Sequence, residues 1–125
     1  MAELHRRAAE REREAARILG TKRTAWRPRY VSGPDVDRVR LPNGRDALTI
    51  EVKTRAALPQ WFRNALSQAR RYGMGSDVPL VVLSEKGSEP LALLPLRDFA
   101  RLLGIGEGAL DREAPPPTLP FGRAA

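Results

Sequence analysis

Glu51 and Lys53 are the residues whose types and spacing most clearly suggest chemistry in this sequence of 125 residues. They close segment 47–55, in which apolar and polar residues alternate as in a half-buried strand. Because strand side chains alternate between faces, the two residues share one face. A carboxylate there can bind a hard cation, while an ammonium can steady an attacking hydroxide or the charge of a phosphate. A metal-dependent phosphodiesterase site would need such a pair, but the pair alone is better interpreted as a surface salt bridge. The case for this function depends on the residues that align with it.

A second acidic position, Asp35, opens the predicted strand 35–41. The loop 42–46 contains an Asn-Gly turn signal and closes a hairpin with segment 47–55. Because this loop lies at one end of the hairpin, Asp35 is expected beside Glu51 and Lys53 at the other end. An aspartate that caps its own turn is the alternative.

Asp37 competes with Asp35 for the same role. Strict alternation along the strand would place Asp35, Asp37 and Val39 on one face and Val36 on the other. The choice between the two aspartates stays open at this point.

The third acidic position is Glu12, in a helix predicted from Leu4 to Leu19. Glu12 falls in or at the edge of the apolar stripe of this helix, where a carboxylate needs a partner or a metal. Glu10 and Glu14 fall on the opposite side, where Arg6, Arg13 and Arg17 can pair with them. The stripe itself consists of Leu4, Ala8, Ala15, Ile18 and Leu19.

Further elements complete the order α-β-β-β-α-β-β-α. Segment 24–31 is predicted as an edge strand, and 58–72 as a helix with Gln68 at the border of its buried stripe. The continuous apolar run 78–84 predicts a central strand covered on both faces, followed by strand 91–94 and helix 96–103. The predicted buried stripe of the second helix is Leu58, Phe62, Ala65, Ala69 and Tyr72.

Three carboxylates around Lys53 would repel one another unless a divalent cation lay among them. Ligands that are all oxygen favour Mg²⁺ or Mn²⁺. The sequence has no cysteine and a single histidine, which argues against a zinc site.

The net charge of +7 and the pI near 10.9 favour a nucleic-acid partner, here DNA. All but three of the 22 basic residues are Arg, which suits bidentate phosphate contacts, although Arg-rich codon usage would also explain that excess. The candidate phosphate contacts are Arg23, Arg27, Arg29, Arg38, Arg40, Arg55, Arg63, Arg70 and Arg71.

The chain is predicted to form one domain over 1–104, followed by a flexible Pro-rich tail over 105–125. Gly104, Gly106 and Gly108 are interpreted as a helix cap and linker, and Leu119 with Phe121 as a possible docking motif for a protein partner. No apolar run reaches membrane-spanning length, and the charged, helical N-terminus does not resemble a signal peptide. A cytoplasmic protein without a membrane segment is expected.

In this order of elements, Pro34-Asp35 followed by Glu51-Val52-Lys53 resembles the signature of the PD-(D/E)xK nuclease superfamily. Glu12-Arg13-Glu14 on the first helix is similar to the start of Holliday-junction resolvases of the archaeal and phage type. The segment from Gln68 to Tyr72 resembles the Gln-x-x-x-Tyr element of exonuclease-like members. The resemblance covers residues from about 3 to 103.

The resemblance implies an α/β fold of restriction-endonuclease type, with an α-β-β-β-α-β core and a mixed central sheet flanked by helices. It implies that Asp35, Glu51 and the carbonyl of Val52 bind the metal. Lys53 would position or activate the water, Glu12 would complete the acidic cluster, and Gln68 would support the site. A bacterial or phage origin fits this branch.

The leading hypothesis is therefore a Mg²⁺-dependent endonuclease for branched or structured DNA, acting as a homodimer that supplies two cuts. A non-catalytic DNA-binding or assembly module with the same fold is the first alternative. An accessory subunit that recruits a partner through its Pro-rich tail is the second.

Overall fold

The computed structural model describes residues 2–24 and 35–106, with side chains described from Arg6 onward. The protein is mixed α/β, with three helices and two small antiparallel sheets in these ranges. Most of the predicted strand 24–31 and the tail 107–125 lie outside the described residues. The elements are α1 (Ala2–Leu19), β1 (Val36–Arg40), β2 (Ala47–Ile50), α2 (Gln60–Tyr72), β3 (Val81–Leu83), β4 (Leu91–Leu93) and α3 (Leu96–Leu103).

Helix α1 follows the prediction closely, since it ends at Leu19 and buries the C-terminal part of its apolar stripe. Gly20 takes the left-handed conformation with φ of 73°, as expected for the residue after a helix. The amide of Thr21 then donates to the carbonyl of Ala16 at 2.8 Å. This bond satisfies one of the carbonyls that the end of the helix leaves without a partner.

Strands β1 and β2 form the predicted hairpin, but a β-bulge interrupts it. Val36 pairs with Ile50, and Val39 pairs with Leu48, so the register shifts by one residue between the two pairs. The extra residue turns both valines toward the core, where Val36 is 0% and Val39 is 7% exposed. The prediction that Val36 and Val39 lie on opposite faces is therefore wrong.

Segment 22–24 lies along β1 on the side away from β2. Arg23 forms an antiparallel bridge with Val36, and the amide of Asp37 donates to the carbonyl of Lys22 at 2.9 Å. The amide of Thr24 donates to the carbonyl of Asp35 at 3.1 Å. β1 is thus paired along both edges, as in the middle of a sheet.

The core lies where α1, the hairpin and α3 meet. It is built from Ile18, Leu19, Val39, Ala100 and Ile105, with further partly buried apolar side chains around them. The packed chain therefore extends through Ile105, one residue beyond the predicted domain boundary.

Gly106 makes this packing possible. Its φ is +61°, and a Cβ built on it would collide with the backbone carbonyl of Ile18 at the end of α1. Only a residue without a side chain allows such an approach without displacement. Gly104, with φ of 73°, caps α3 as expected.

The central-strand prediction for run 78–84 is wrong. Only Val81–Leu83 is extended in a ladder, and in the described structure it pairs with β4 alone. Leu80 is 52% and Val82 62% exposed, so one face of this sheet is uncovered by described residues. The sheets seen in this part of the chain are antiparallel; no mixed sheet is formed there.

Helix α2 also differs from expectation. It forms at the predicted place, but none of its residues is buried, and Tyr72 is 78% exposed. The predicted stripe is partly shielded at Phe62, Ala65 and Ala69. Few described residues pack across this helix, which explains why an apolar pattern did not produce burial.

Within the described ranges, no helix has the length and apolar character needed to cross a membrane.

Candidate metal and phosphate site

Asp35 and segment 51–53 come together at the open end of the hairpin. The Oδ2 atom of Asp35 accepts a hydrogen bond from the backbone amide of Val52 at 2.9 Å, and the contact is partly buried. β1 begins at Val36 and β2 ends at Ile50, short of the predicted end of that strand, so Asp35 and Glu51 lie just beyond the last pair of the hairpin. The structure thus brings these residues together as the hairpin geometry predicted.

Glu51 and Lys53 form an ion pair on the surface. The Nζ atom of Lys53 lies 3.2 Å from Oε1 of Glu51, and the side chains are 73% and 59% exposed, respectively. The pairing agrees with their predicted position on one face. Because both groups are well solvated, this contact contributes little to stability and either group can exchange it for another partner.

Glu12 faces the body of the protein, as its place in the helix stripe predicted. Its side chain is 15% exposed, and its Oε2 atom lies 3.4 Å from Nε of Arg23. Arg23 is itself bridged to Val36, the residue next to Asp35. The half-buried carboxylate therefore has an arginine partner, and Arg23 holds α1 against the strand that carries Asp35.

The three predicted carboxylates do not form one group. Among residues 2–24 and 35–106, no set of three or more His, Cys, Asp or Glu side chains is placed to hold a metal ion. Asp35 and Glu51 share one end of the hairpin, whereas Glu12 is engaged by Arg23. At this end of the hairpin the fold places the Asp35 carboxylate against the backbone amide of Val52, the residue after Glu51.

A groove runs between α1 and segment 52–58, beside the candidate site. We call it the α1 groove. Its larger part is a cleft of about 560 Å³, and its smaller part is a cleft of about 460 Å³ that shares Arg11, Thr54, Arg55 and Ala56 with the first. The larger cleft is lined by Arg11, Glu14, Ala15, Ile18, Val52, Lys53, Thr54, Arg55, Ala56, Ala57, Leu58, Arg63 and Leu96. Lys53 thus belongs both to the candidate site and to the groove.

The predicted phosphate-binding arginines separate into groups. Arg55 and Arg63 line the α1 groove. Arg38 and Arg40 are exposed on β1, and Arg70 with Arg71 lies in the last turn of α2. Arg27 and Arg29 lie outside the described residues.

Gln68 is exposed on α2, and it lines neither part of the α1 groove. Its role in supporting the site stays a prediction.

Two groove residues were missed by sequence reasoning. Arg11 was not among the candidate contacts, and Glu14 was paired with other arginines. In the structure Nη1 of Arg11 lies 2.9 Å from Oε1 of Glu14. Their i, i+3 spacing on a helix could have identified the pair.

Comparisons with family models, curated proteins and solved structures gave no match to this chain. The similarity to PD-(D/E)xK nucleases therefore stays a prediction from the sequence motifs.

Proposed function

We propose that this protein is a divalent-metal-dependent DNA endonuclease of PD-(D/E)xK type that hydrolyses phosphodiester bonds in branched or structured DNA. The observation that carries the proposal is the hydrogen bond from the Val52 amide to Asp35, which sets this carboxylate beside the exposed Glu51–Lys53 pair. The enzyme would act on intracellular DNA in a bacterial or phage setting.

Asp35, Glu51 and the carbonyl of Val52 would hold Mg²⁺ or Mn²⁺. The donor set fits such an ion because all its atoms are oxygens. The Val52 amide occupies Oδ2 of Asp35 and so orients the carboxylate, while the other oxygen makes no hydrogen bond within the described structure. A bound ion would supply Lewis-acid stabilisation of the phosphoryl charge and activation of water.

Lys53 would leave Glu51 and turn toward the scissile phosphate. Its Nζ atom is well exposed, so this movement costs little. The ammonium would then position the attacking water or neutralise the charge that develops on the phosphate. Glu12 and Arg23 would act indirectly, because their ion pair would fix α1 against the strand that follows Asp35.

The proposal includes a restriction-endonuclease-like fold. Helix α1, the β1–β2 hairpin and α2 follow one another as that fold requires. Segment 22–24, which pairs with β1, would be the start of the further strand that the core needs.

The first test replaces the residues of the ion pair. Glu51→Gln and Lys53→Ala should each lower the rate of junction cleavage by about a hundredfold or more, with DNA binding largely retained. Glu85→Gln and Lys86→Ala are matched controls, because both residues are exposed in the connection between β3 and β4. Full nicking activity in both Glu51→Gln and Lys53→Ala would remove these residues from the mechanism.

A second test decides between the two aspartates. Asp35→Asn keeps an oxygen that can accept the Val52 amide but removes the charge that a cation needs. We expect it to lose cleavage while unfolding at nearly the same urea concentration as the wild type. Asp37→Asn should keep cleavage; the reverse result would assign the metal to Asp37.

A non-catalytic DNA-binding module is the second candidate. The Glu51–Lys53 ion pair supports it, because the Lys53 ammonium compensates the charge of Glu51 without a metal ion. A cleavage assay with and without Mg²⁺ on a four-way junction, a flap and a linear duplex separates the two functions. Binding to all three without cutting any would favour the non-catalytic module.

The homodimer is also part of the proposal, since two cuts in a junction need two sites. The exposed apolar side chains Leu80 and Val82 offer a surface that a second copy would cover. Val82→Glu should then lower the mass measured by sedimentation equilibrium from dimer to monomer. A wild-type monomer at all concentrations tested would refute the dimer.

A partner for the Pro-rich tail stays a separate prediction. Truncation before Ala114 should leave cleavage intact and remove binding of that partner.

A further inference from the structure

The α1 groove combines a basic rim with an apolar floor. Four basic side chains and one acidic side chain line its larger part, so the rim favours a polyanion. The basic residues are Arg11, Lys53, Arg55 and Arg63, and the floor consists of Ala15, Ile18, Val52, Leu58 and Leu96.

Two of the rim arginines are available for a ligand. Arg55 and Arg63 are exposed, and neither has an acidic partner among the residues that the structure describes. Arg11 lies on α1, where it is paired with Glu14 of the same helix. Free guanidinium groups of this kind form bidentate contacts with phosphate and also stack on nucleobases.

The apolar floor distinguishes this groove from a surface that would bind only the phosphates of DNA. Leu58 is 46% and Leu96 36% exposed, so apolar surface lies open between the cations. A paired duplex presents phosphates and sugars to a surface groove and keeps the faces of its bases stacked inside. An unpaired nucleotide exposes its base, which an apolar surface can cover.

The groove is long enough for several nucleotides. It continues along α1 into the smaller cleft, which Arg7 and Arg11 line. From Arg7 to Ile18 the helix rises about 16 Å. At a spacing of about 3.4 Å per nucleotide in one strand, this length accepts about five nucleotides.

We propose that the α1 groove binds a short unpaired stretch of the DNA strand next to the scissile phosphate. Its phosphates lie along Arg11, Arg55 and Arg63, and its bases cover the apolar floor at Leu58. The inference rests on the proposed function, because Lys53 is what joins the groove to the candidate site. It adds that the substrate has unpaired nucleotides beside the cut, as at a flap or the centre of an open junction.

The test measures binding without divalent ions by fluorescence anisotropy. Two labelled probes of equal length are compared, a single-stranded oligonucleotide and an abasic oligonucleotide with the same phosphates. The wild type should bind the probe with bases about tenfold more tightly. Equal binding of the two probes would overturn the proposal, because a purely electrostatic groove does not distinguish them.

Substitutions assign this preference to the groove. Leu58→Gln should reduce the preference for bases several-fold, whereas Leu91→Gln, at a leucine that is 64% exposed on β4, should not. Arg63→Gln should weaken the binding of both probes equally, and by more than Arg40→Gln on the hairpin does. Identical effects of Leu58→Gln and Leu91→Gln would overturn the assignment.

A second groove variant keeps the test valid if Leu58→Gln does not fold. Ala57 lines the groove and is exposed, so Ala57→Glu adds a negative charge without disturbing the core. It should weaken the binding of both probes at least several-fold, while Ser88→Glu, on an exposed residue in the turn between β3 and β4, should have no effect. Equal binding by both variants would overturn the groove.

The outcome is independent of catalysis. Because no divalent ion is present, failure of the cleavage tests leaves a positive binding result standing. If cleavage is retained but the two probes bind equally, the proposed binding of unpaired DNA in the groove is refuted. The proposed nuclease activity then stands.

Discussion

Two regions of this protein use apolar residues in opposite ways. In the first, α1, the β1–β2 hairpin and α3 enclose a core in which Leu19 is 2% and Val36 0% exposed. In the second, α2 has no buried residue, and Val82 on β3 is 62% exposed. Val36 and Val82 are the same residue type in extended segments, so the type of residue does not explain the difference. Strand β1, which carries Val36, contacts both α1 and β2, whereas no described element covers Val82.

The candidate site belongs to the first region. Asp35, Glu51 and Lys53 lie at the end of the hairpin, and the second region contributes only the start of α2 to the groove, through Arg63. The stability of the monomer and the chemistry at each site should therefore respond to changes in the first region and hardly to changes in β3 and β4.

The largest expected difference comes from the same substitution in each region. Leu19→Ala should lower the free energy of unfolding by about 2–5 kcal/mol, because it leaves a cavity in the core. Leu91→Ala should cost less than about 1 kcal/mol, since that side chain is already largely solvated. Urea denaturation followed by circular dichroism measures both. Equal losses would show that the second region is covered in solution.

Two glycines with positive φ, Gly106 and Gly44, differ in the same way, since only Gly106 is closely packed. Gly106→Ala should destabilise the protein by about 3 kcal/mol, from an unfavourable φ together with the collision at the carbonyl of Ile18. Gly44 also has a positive φ, but a Cβ there meets no atom within 4 Å. Gly44→Ala should therefore cost only about 1 kcal/mol. Thermal denaturation measures both variants. Equal melting temperatures would contradict the close packing of Gly106 on α1.

Two ion pairs on α1 provide a smaller effect within the first region. Glu12→Gln should cost about 1 kcal/mol, because its carboxylate is 15% exposed and Arg23 depends on it. Glu14→Gln should cost about 0–0.5 kcal/mol, because the Arg11–Glu14 pair is solvated. A double-mutant cycle with Arg23→Gln measures the coupling energy. A coupling of zero would mean that Arg23 does not hold Glu12 in solution.

The smallest effect is expected at the uncovered face of the second sheet. Val82→Thr should change the free energy of unfolding by no more than about 0.5 kcal/mol at low protein concentration. If a second copy covers this face, the cost should rise as the protein concentration rises. Denaturation at two concentrations tests this, with Ser84→Thr, on an exposed residue just after β3, as the reference.

Much of the local structure could be predicted from the sequence. Apolar periodicity placed α1 and α2, the Asn-Gly pair placed the hairpin turn, and Gly20 and Gly104 marked helix ends. The approach of Asp35 to segment 51–53 also followed, since it needs only a hairpin and its loop. These features depend on interactions between residues that are near one another in the chain.

Tertiary packing decided the rest. The β-bulge that turns both Val36 and Val39 inward, the choice of Arg23 as partner of Glu12, and the groove beside Lys53 all depend on how separate elements meet. Run 78–84 reads as a covered strand because it is apolar, yet Val82 is exposed. A sequence pattern states which side chains would gain from burial, but only the packed chain supplies the surface that buries them.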